Sequence, residues 1–431
     1  MDQVREEVML KDHYRLHFVP TKKFKTIHVI VKLKAPLNRQ TITKRSLLSY
    51  VLRQGTKNYP SEQALQSKLD QLYGAGFSID HTKKGHDHIM SFRLQVANEK
   101  FIANETNVID EAIALLGEII FHPYVENDAF PEKVVEREKT TLKQKIQAVQ
   151  DDKMAYANMR LIDEMCKGET YQIHVHGYEE DLAQITPAQL YEYYQAMLTE
   201  DQMDIYVLGD FVVEEMAEKV HEVFQQKDRH THISSAFIEE APKALTGTPH
   251  VVIEEQDVEQ SELRIGCRTY TTFKDTDYAA LLVFNGIFGG FPSSKLFINV
   301  REKNSLAYYA ASRMESHKGL LFVVSGIAPE DYEKARAIIE EQMEAMKQGQ
   351  FSEDDINHTK ELIINQLLET LDHPQGIVEL LYQQVLADHT LQPNDLIHQI
   401  KHVTKEDIVN VAQKIAVDTI YLLTNKGESD E

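Results

Sequence analysis

The sequence predicts an α+β protein of two homologous domains, each a largely antiparallel β-sheet with α-helices packed on one face. Three observations carry this. The chain has 431 residues and 42% hydrophobic content, more than one compact core holds and too apolar for a disordered chain. Its halves share one plan: Phe130-Pro-Glu-Lys opens a long helical pattern ending near Asp151-Asp-Lys, and Phe351-Ser-Glu-Asp opens another ending near Asp372-His-Pro, an offset of 351 − 130 = 221 residues. Stretches such as Ile89-Met-Ser-Phe-Arg-Leu-Gln-Val alternate with period two, as strands with one buried face do.

Each half opens with a β-rich segment, Thr26-Ile-His-Val-Ile-Val-Lys-Leu in the first and Leu263-Arg-Ile-Gly-Cys-Arg-Thr-Tyr in the second. Helices, a further strand region and long helices follow. Both long helices open on cap-like residues. Further on, Ile185-Thr-Pro-Ala-Gln-Leu leads through a helix to the strand Asp204-Ile-Tyr-Val-Leu-Gly, and Val403-Thr-Lys-Glu-Asp-Ile leads to Thr419-Ile-Tyr-Leu-Leu. Between the halves, Asp228-Arg-His-Thr-His and Pro242-Lys-Ala-Leu-Thr-Gly-Thr-Pro-His lack periodicity, as a linker does. The expected division is therefore residues 1–226, a linker at 227–248, and 249–431.

The charge balance narrows the partners. With 46 basic and 68 acidic residues the net charge is −22, which repels phosphate backbones and anionic headgroups, so neither nucleic acid nor membrane insertion is expected. Cys166 and Cys267 are the two cysteines. They cannot build a disulfide framework and lack zinc-site spacing, which fits a reducing setting. The charged start and the lack of any run approaching roughly 18 apolar residues predict a soluble, cytoplasmic protein.

The run Gly289-Gly-Phe-Pro-Ser-Ser-Lys-Leu-Phe-Ile-Asn-Val-Arg-Glu-Lys-Asn-Ser-Leu-Ala-Tyr closely resembles the C-terminal-domain signature of the insulinase/pitrilysin (M16) family of zinc peptidases, and the duplicated plan extends the resemblance to essentially the whole chain. Active members of that family resemble one another in an inverted motif, His-x-x-Glu-His, on the first helix, with a further metal-binding Glu on a later helix. Imidazoles at i and i+4 converge on one ion, and the Glu between them takes a proton from the metal-bound water.

Counting back from Gly55-Thr56, the resemblance places Ser46 and Tyr50 at the histidines and Ser49 at the glutamate; aligned through Glu138, the later helix places Lys145 at the metal-binding carboxylate. Hydroxyls are poor zinc ligands beside imidazole, and an ammonium repels the ion. No metal or other cofactor is therefore expected in this chain. The simplest account of the helix makes Ser46, Ser49, Tyr50 and Arg53 its solvated side and Leu47, Leu48, Val51 and Leu52 its core side. With 19 histidines in the chain, the pairs His86-x-His88 and His174-x-His176 are expected to be ordinary surface or core residues, each without a third ligand.

The resemblance implies one further pair, an Arg and a Tyr seven residues apart in the C-terminal domain, facing the zinc site across the cavity: here Arg301 and Tyr308. Guanidinium grips a carbonyl or carboxylate bidentately, and a phenol donates to an oxyanion. Without the family, Arg301 is a polar residue near a helix end and Tyr308 one member of a strand alternation; Tyr309, pointing the other way, is read as packing. A lost metal site beside a kept Arg and Tyr resembles the non-catalytic subunit of two-subunit members. The implied function is a zinc-less subunit, inactive alone, that pairs with a zinc-bearing His-x-x-Glu-His homologue and orients peptide substrates. Zinc is expected in that partner, with a homodimer as the other pairing. A structural or peptide-binding protein with no catalytic partner is the alternative, and a peptidase with an unrecognised metal site ranks last.

Overall fold

The computed structural model describes residues 5–11, 13–103, 107–225, 245 and 247–425. Along the chain run β1 (Glu7–Leu10), β2 (Arg15–Pro20), β3 (Thr26–Pro36), α1 (Ile42–Val51), α2 (Glu62–Gln71), β4 (Gly76–Lys84), β5 (Asp87–Ala97), α3 (Val108–Phe121), α4 (Glu132–Asp151) and α5 (Lys153–Met165). They are followed by α6 (Glu179–Leu182), α7 (Pro187–Glu200), β6 (Gln202–Gly209) and α8 (Val213–Phe224). The second half holds β7 (His250–Gln256), β8 (Ser261–Arg268), α9 (Tyr278–Asn285), β9 (Ala307–Glu315), β10 (Leu320–Ile327), α10 (Tyr332–Lys347), α11 (Glu353–Thr370), α12 (Pro374–Ala387), α13 (Pro393–His402), α14 (Lys405–Lys414) and β11 (Ala416–Asn425).

The chain divides into two compact units, Met1–Ala148 with Ile173–Ile238, and Val149–Gln172 with Glu239–Glu431. The linker expected at 227–248 lies almost wholly outside the described residues. In the first unit the sheet order is β1-β2-β6-β3-β5-β4, antiparallel throughout except for the parallel pair β2 and β6. In the second it is β7-β11-β8-β10-β9, again with one parallel pair, β7 and β11. Matching β2-β6-β3-β5-β4 to β7-β11-β8-β10-β9 shows the repeat as topology: the fold is α+β, one plan used twice, with β1 added in the first unit.

Alternation places each core. Ile27, Val29, Val31 and Leu33 of β3 share a face with Phe92 and Leu94 of β5, and pack against Leu47 and Leu48 of α1 and Ile113 and Leu116 of α3. In the second unit Leu263 and Ile265 of β8 meet Phe284 of α9 and Ile339 of α10. Helix starts are fixed by side chains: Thr186 with Gln189 on α7, Ser352 with Asp355 on α11, and Thr404 with Asp407 on α14 all form capping boxes, each contributing about 1 kcal/mol.

The helix α5 precedes the second half in sequence yet belongs to the second unit, an exchange that linear patterning does not contain. Its apolar stripe, Ala157 and Leu161, packs with Tyr421 and Leu423 of β11. Asn158 accepts from Arg264 Nε at 2.7 Å, and Arg268 binds Glu169 and the Met165 carbonyl just beyond the stripe. With α5 on one face and the core helices on the other, every residue of β8 is buried. The two faces explain why Leu263-Arg-Ile-Gly-Cys-Arg reads as a strand with charges inside it: Asn158 and the Met165 carbonyl of α5 accept from Arg264 and Arg268, and their carboxylates come from Glu262 for the first and from Glu169 and Asp418 for the second.

Candidate functional site

The helix α1 carries the motif positions, and the structure overturns the expectation of a solvated side. Ser46 is fully buried, Ser49 is 4% exposed and Arg45 is 2% exposed; Tyr50 is half-buried and Arg53 alone is exposed. The cause is a loop laid over the helix. Gly177, at φ 78°, adopts a left-handed conformation that L side chains resist, and a Cβ there would lie 2.6 Å from Thr43 Cα. Glycine thus lets the chain close down so that the Val175 carbonyl accepts from Ser46 Oγ at 2.9 Å. An imidazole at position 46 would occupy the space that this carbonyl fills.

Three histidines come together behind α1: His81 from β4, His88 from β5 and His176 from the loop. Ser49 has one hydroxyl proton, and it goes to the Ser46 carbonyl at 2.7 Å. At 3.2 Å from His81 Nδ1, Ser49 Oγ is therefore the acceptor, which puts the His81 proton on Nδ1. His81 Nε2, 2.9 Å from His176 Nδ1, then accepts from His176. The result is a directed chain, His176 to His81 to Ser49 to the backbone, in which every imidazole is neutral. His88 stacks on His81 with ring centroids 5.3 Å apart and accepts at Nδ1 from Arg45 Nε at 2.8 Å. Arg45 in turn donates to the Leu33 carbonyl and pairs with Asp201 at 2.6 Å.

Burial is the main cause that pushes His81 down to about 3, reinforced by His176, Arg45 and Lys145. Burial likewise brings His176 to about 4, with Lys145 and His174 adding to it, and lowers His88, with Arg45 and His81 adding to it. The sequence-matched Lys145, exposed on α4, thus places its ammonium close enough to act on two of the three rings. Tyr50 is held above the usual phenol range by burial and Glu138, against the opposing effect of Arg53.

The donor set does not fit zinc. Zinc needs converging lone pairs and a carboxylate or third imidazole. Here Ser46 and Ser49 are committed to carbonyls, both ring nitrogens of His81 are committed within the chain, and Arg45 and Lys145 set two positive charges beside the rings. Among the described residues no group of three or more His, Cys, Asp or Glu side chains has the arrangement of a metal site. The same accounting removes Ser49 as a nucleophile, because His81 offers it no lone pair. His88 and His176, read from sequence as members of separate chance pairs, belong to one cluster joined through His81. The signal that could have found it is the alternation of β4, which puts His81 opposite Met90 and next to the His88 row.

The second unit carries Arg301 and Tyr308. Residues Phe297–Glu302 form a π-helical turn, a local widening often found at functional positions. The preceding segment Gly286–Gly290 lies close against β9 at Gly289, where a Cβ would lie 2.7 Å from the Ser312 nitrogen. Arg301 is exposed, with its guanidinium 4.7 Å from the Phe297 ring centroid, a contact worth about 0.5–1 kcal/mol at an exposed site. Ser305, at φ 52°, turns the chain into β9, where Tyr308 is 73% exposed. Next to it, where the pairing with β10 slips by one residue, Tyr309 bonds to Glu262 and Arg264. The pair is therefore presented to solvent from a turn and an edge strand, supported by a rigid sheet, and available to a ligand.

Two sheet-and-helix units of one topology, with no metal-site arrangement of side chains among the described residues, define a homologue of the duplicated peptidases. The chain belongs to the M16 peptidase family. The family model described as the peptidase M16 inactive domain matches residues 184–363. A probable inactive metalloprotease of Bacillus subtilis (strain 168), YmfF, is 49% identical over 407 residues, covering 94% of this chain and 95% of that one. An uncharacterized zinc protease of the same organism, YmxG, is 24% identical over 379 residues, covering 83% and 86%. The crystal structure of a conserved protein from Enterococcus faecalis V583 superimposes with a TM-score of 0.90 at 34% identity, covering 98% of this chain and all of that one. Among the described residues no helix is long and apolar enough to cross a membrane.

Proposed function

We propose that this chain is the zinc-less subunit of a two-chain M16-type peptidase, pairing with a homologue that carries an intact His-x-x-Glu-His motif and holding an extended peptide for it. What supports this reading is the contrast between the units: the family resemblance matches Ser46, Ser49, Tyr50 and Lys145 to the zinc ligands and the general base, and no metal arrangement occurs among the described residues, while Arg301 and Tyr308 are exposed. One organism holding both a relative named as inactive and a relative named as a zinc protease supports the same division of labour.

The chemistry asked of this chain is binding and orientation. A peptide adds as a strand to an open sheet edge, where main-chain bonds supply affinity; β4 and β9 each end their sheets without an outer neighbour among the described residues. Arg301 grips a peptide carbonyl or carboxylate, and Tyr308 donates a hydrogen bond to the carbonyl under attack. Zinc and its bound water belong to the partner. The test is purification of the chain alone and together with a zinc-bearing homologue. The chain alone is expected to hold no stoichiometric zinc and cleave nothing, and the mixture to cleave peptides faster than the homologue by itself. Stoichiometric zinc with peptidase activity in the isolated chain, or no effect on the homologue, overturns the proposal.

A further inference from the structure

The strand β1 is held to the first sheet by a histidine with a carboxylate on each ring nitrogen. His17 Nδ1 lies 2.8 Å from Glu6 Oε1, and Nε2 lies 3.1 Å from Asp204 Oδ1. The ring is buried and stacks on Tyr206 of β6 with centroids 4.2 Å apart. A neutral imidazole has one N–H and one lone pair, so it serves one carboxylate and turns its lone pair on the other. Both bonds exist together only on the imidazolium.

The two carboxylates are not equally fixed. Asp204 is fully buried on the strand between β2 and β3, and it also accepts from Arg15 Nε at 2.5 Å and Gln202 Nε2 at 2.9 Å. Lys32 of β3 stands opposite it in the sheet and donates to Ser91 Oγ at 3.5 Å. Glu6 sits ahead of an edge strand, with His17 as its one side-chain partner among the described residues, while the adjacent Arg5 pairs with Glu7 at 3.4 Å. On the other face of β2, α8 packs with Leu16 and Phe18, and its His221 bonds to Tyr14.

When the ring loses a proton, the remaining N–H stays with the carboxylate that cannot move, Asp204. The lone pair then faces Glu6, which is free to turn to water. Little else holds β1. It has four residues paired with β2; Val8 and Leu10 are 50% and 69% exposed, and Met9 packs against the core. The second unit shows that the plan does without such a strand, because β7, the counterpart of β2, has no outer neighbour among the described residues.

We propose that Glu6 and His17 form a proton-operated latch on β1: the imidazolium holds the strand on the edge of β2, and loss of its proton releases the strand and leaves that edge open. Burial would lower the proton affinity of His17, yet the bonds to Asp204 and Glu6 prevail and raise it. The latch is therefore closed below about pH 6.5 and opens as pH rises through the raised value.

The experiment is hydrogen exchange of the full chain at about pH 6 and about pH 9, expressed as protection factors that take out the intrinsic rise of exchange with pH. Protection in β1 and at the outer amides of β2 is expected to fall roughly tenfold to a hundredfold between the two, as loss of a buried charge-assisted bond implies, while β3 and β5 keep theirs. In the Glu6→Gln variant, which removes one charge from a peripheral residue, β1 is expected to be weakly protected at both pH values. Protection of β1 that is the same at both, a fall undiminished in Glu6→Gln, or a fall shared by β3 and β5 overturns the inference.

Discussion

Ser49 Oγ lies 3.2 Å from His81 Nδ1, at the helix position that the family resemblance matches to a glutamate. The glutamate's task is to accept a proton from metal-bound water; the serine instead accepts a proton from an imidazole and passes its own to the Ser46 carbonyl. The polar groups of this helix are held within the fold by a chain of hydrogen bonds that ends on backbone.

This arrangement predicts a purely structural effect for Ser49→Ala. Losing the acceptor leaves the buried His81 N–H unsatisfied, at a cost of about 1–3 kcal/mol. Urea denaturation is expected to show that loss, while peptide cleavage by the mixture with a zinc-bearing homologue stays unchanged. A large fall in cleavage without loss of stability would restore Ser49 as a chemical participant.

The fold was legible because its signals are local. The run Thr26 to Leu33, the alternation from Ile89, and the caps at Thr186, Ser352 and Thr404 each specify an element through neighbours a few residues away. What the sequence did not disclose depends on partners far along the chain. Ser46 looked solvated because the loop that buries it arrives from residue 175, and His88 and His176 read as separate because they meet through His81, which comes from a third element. Helix α5 looked like part of the first half because nothing in its own stripe says which sheet it covers.

Acidification is predicted to destabilise the first unit. His81 and His176 sit at about 3 and about 4 through burial, and burial puts His28 at about 4 as well. In the unfolded chain each imidazole takes a proton near 6.5. Below that pH the unfolded state binds more protons than the folded one, so stability falls as pH drops from about 6.5 toward about 4. His17 opposes this: burial would lower it, but bonds to Asp204 and Glu6 prevail and raise it, so its contribution is complete at low pH and lost as pH rises through its raised value. Burial lowers His88 as well, so four imidazoles against one set the direction. The urea midpoint is expected to be lower at about pH 5 than at about pH 7.5, with His176→Asn reducing the slope; a midpoint that rises on acidification would contradict the neutral cluster.

The placement of α5 can be checked by where damage appears. Leu161 is fully buried in the cluster with Tyr421 and Leu423, so Leu161→Ala removes methylenes and leaves a cavity, at about 2–5 kcal/mol. Hydrogen exchange is expected to accelerate in β8 and β11 of the second unit and to leave β3 and β5 of the first unaffected. Loss of protection confined to β3 and β5 would assign the helix to the other sheet.

Arg301 and Tyr308 call for the opposite signature, an effect on function with none on stability. Both are exposed, and the adjacent Tyr309 holds the network with Glu262 and Arg264. Arg301→Ala and Tyr308→Phe are therefore expected to shift unfolding by no more than about 0.5 kcal/mol, while Tyr309→Phe, which strips a partner from a buried guanidinium, costs about 1–3 kcal/mol. In the complex with a zinc-bearing homologue Tyr308→Phe is expected to lower turnover by about a hundredfold, through loss of the hydrogen bond to the developing oxyanion. The split between kcat and KM separates their roles: Arg301, gripping substrate in the ground state, is expected to act mainly on KM, and Tyr308 mainly on kcat. Variants with unchanged kcat and KM would leave the chain as a peptidase homologue without a part in hydrolysis.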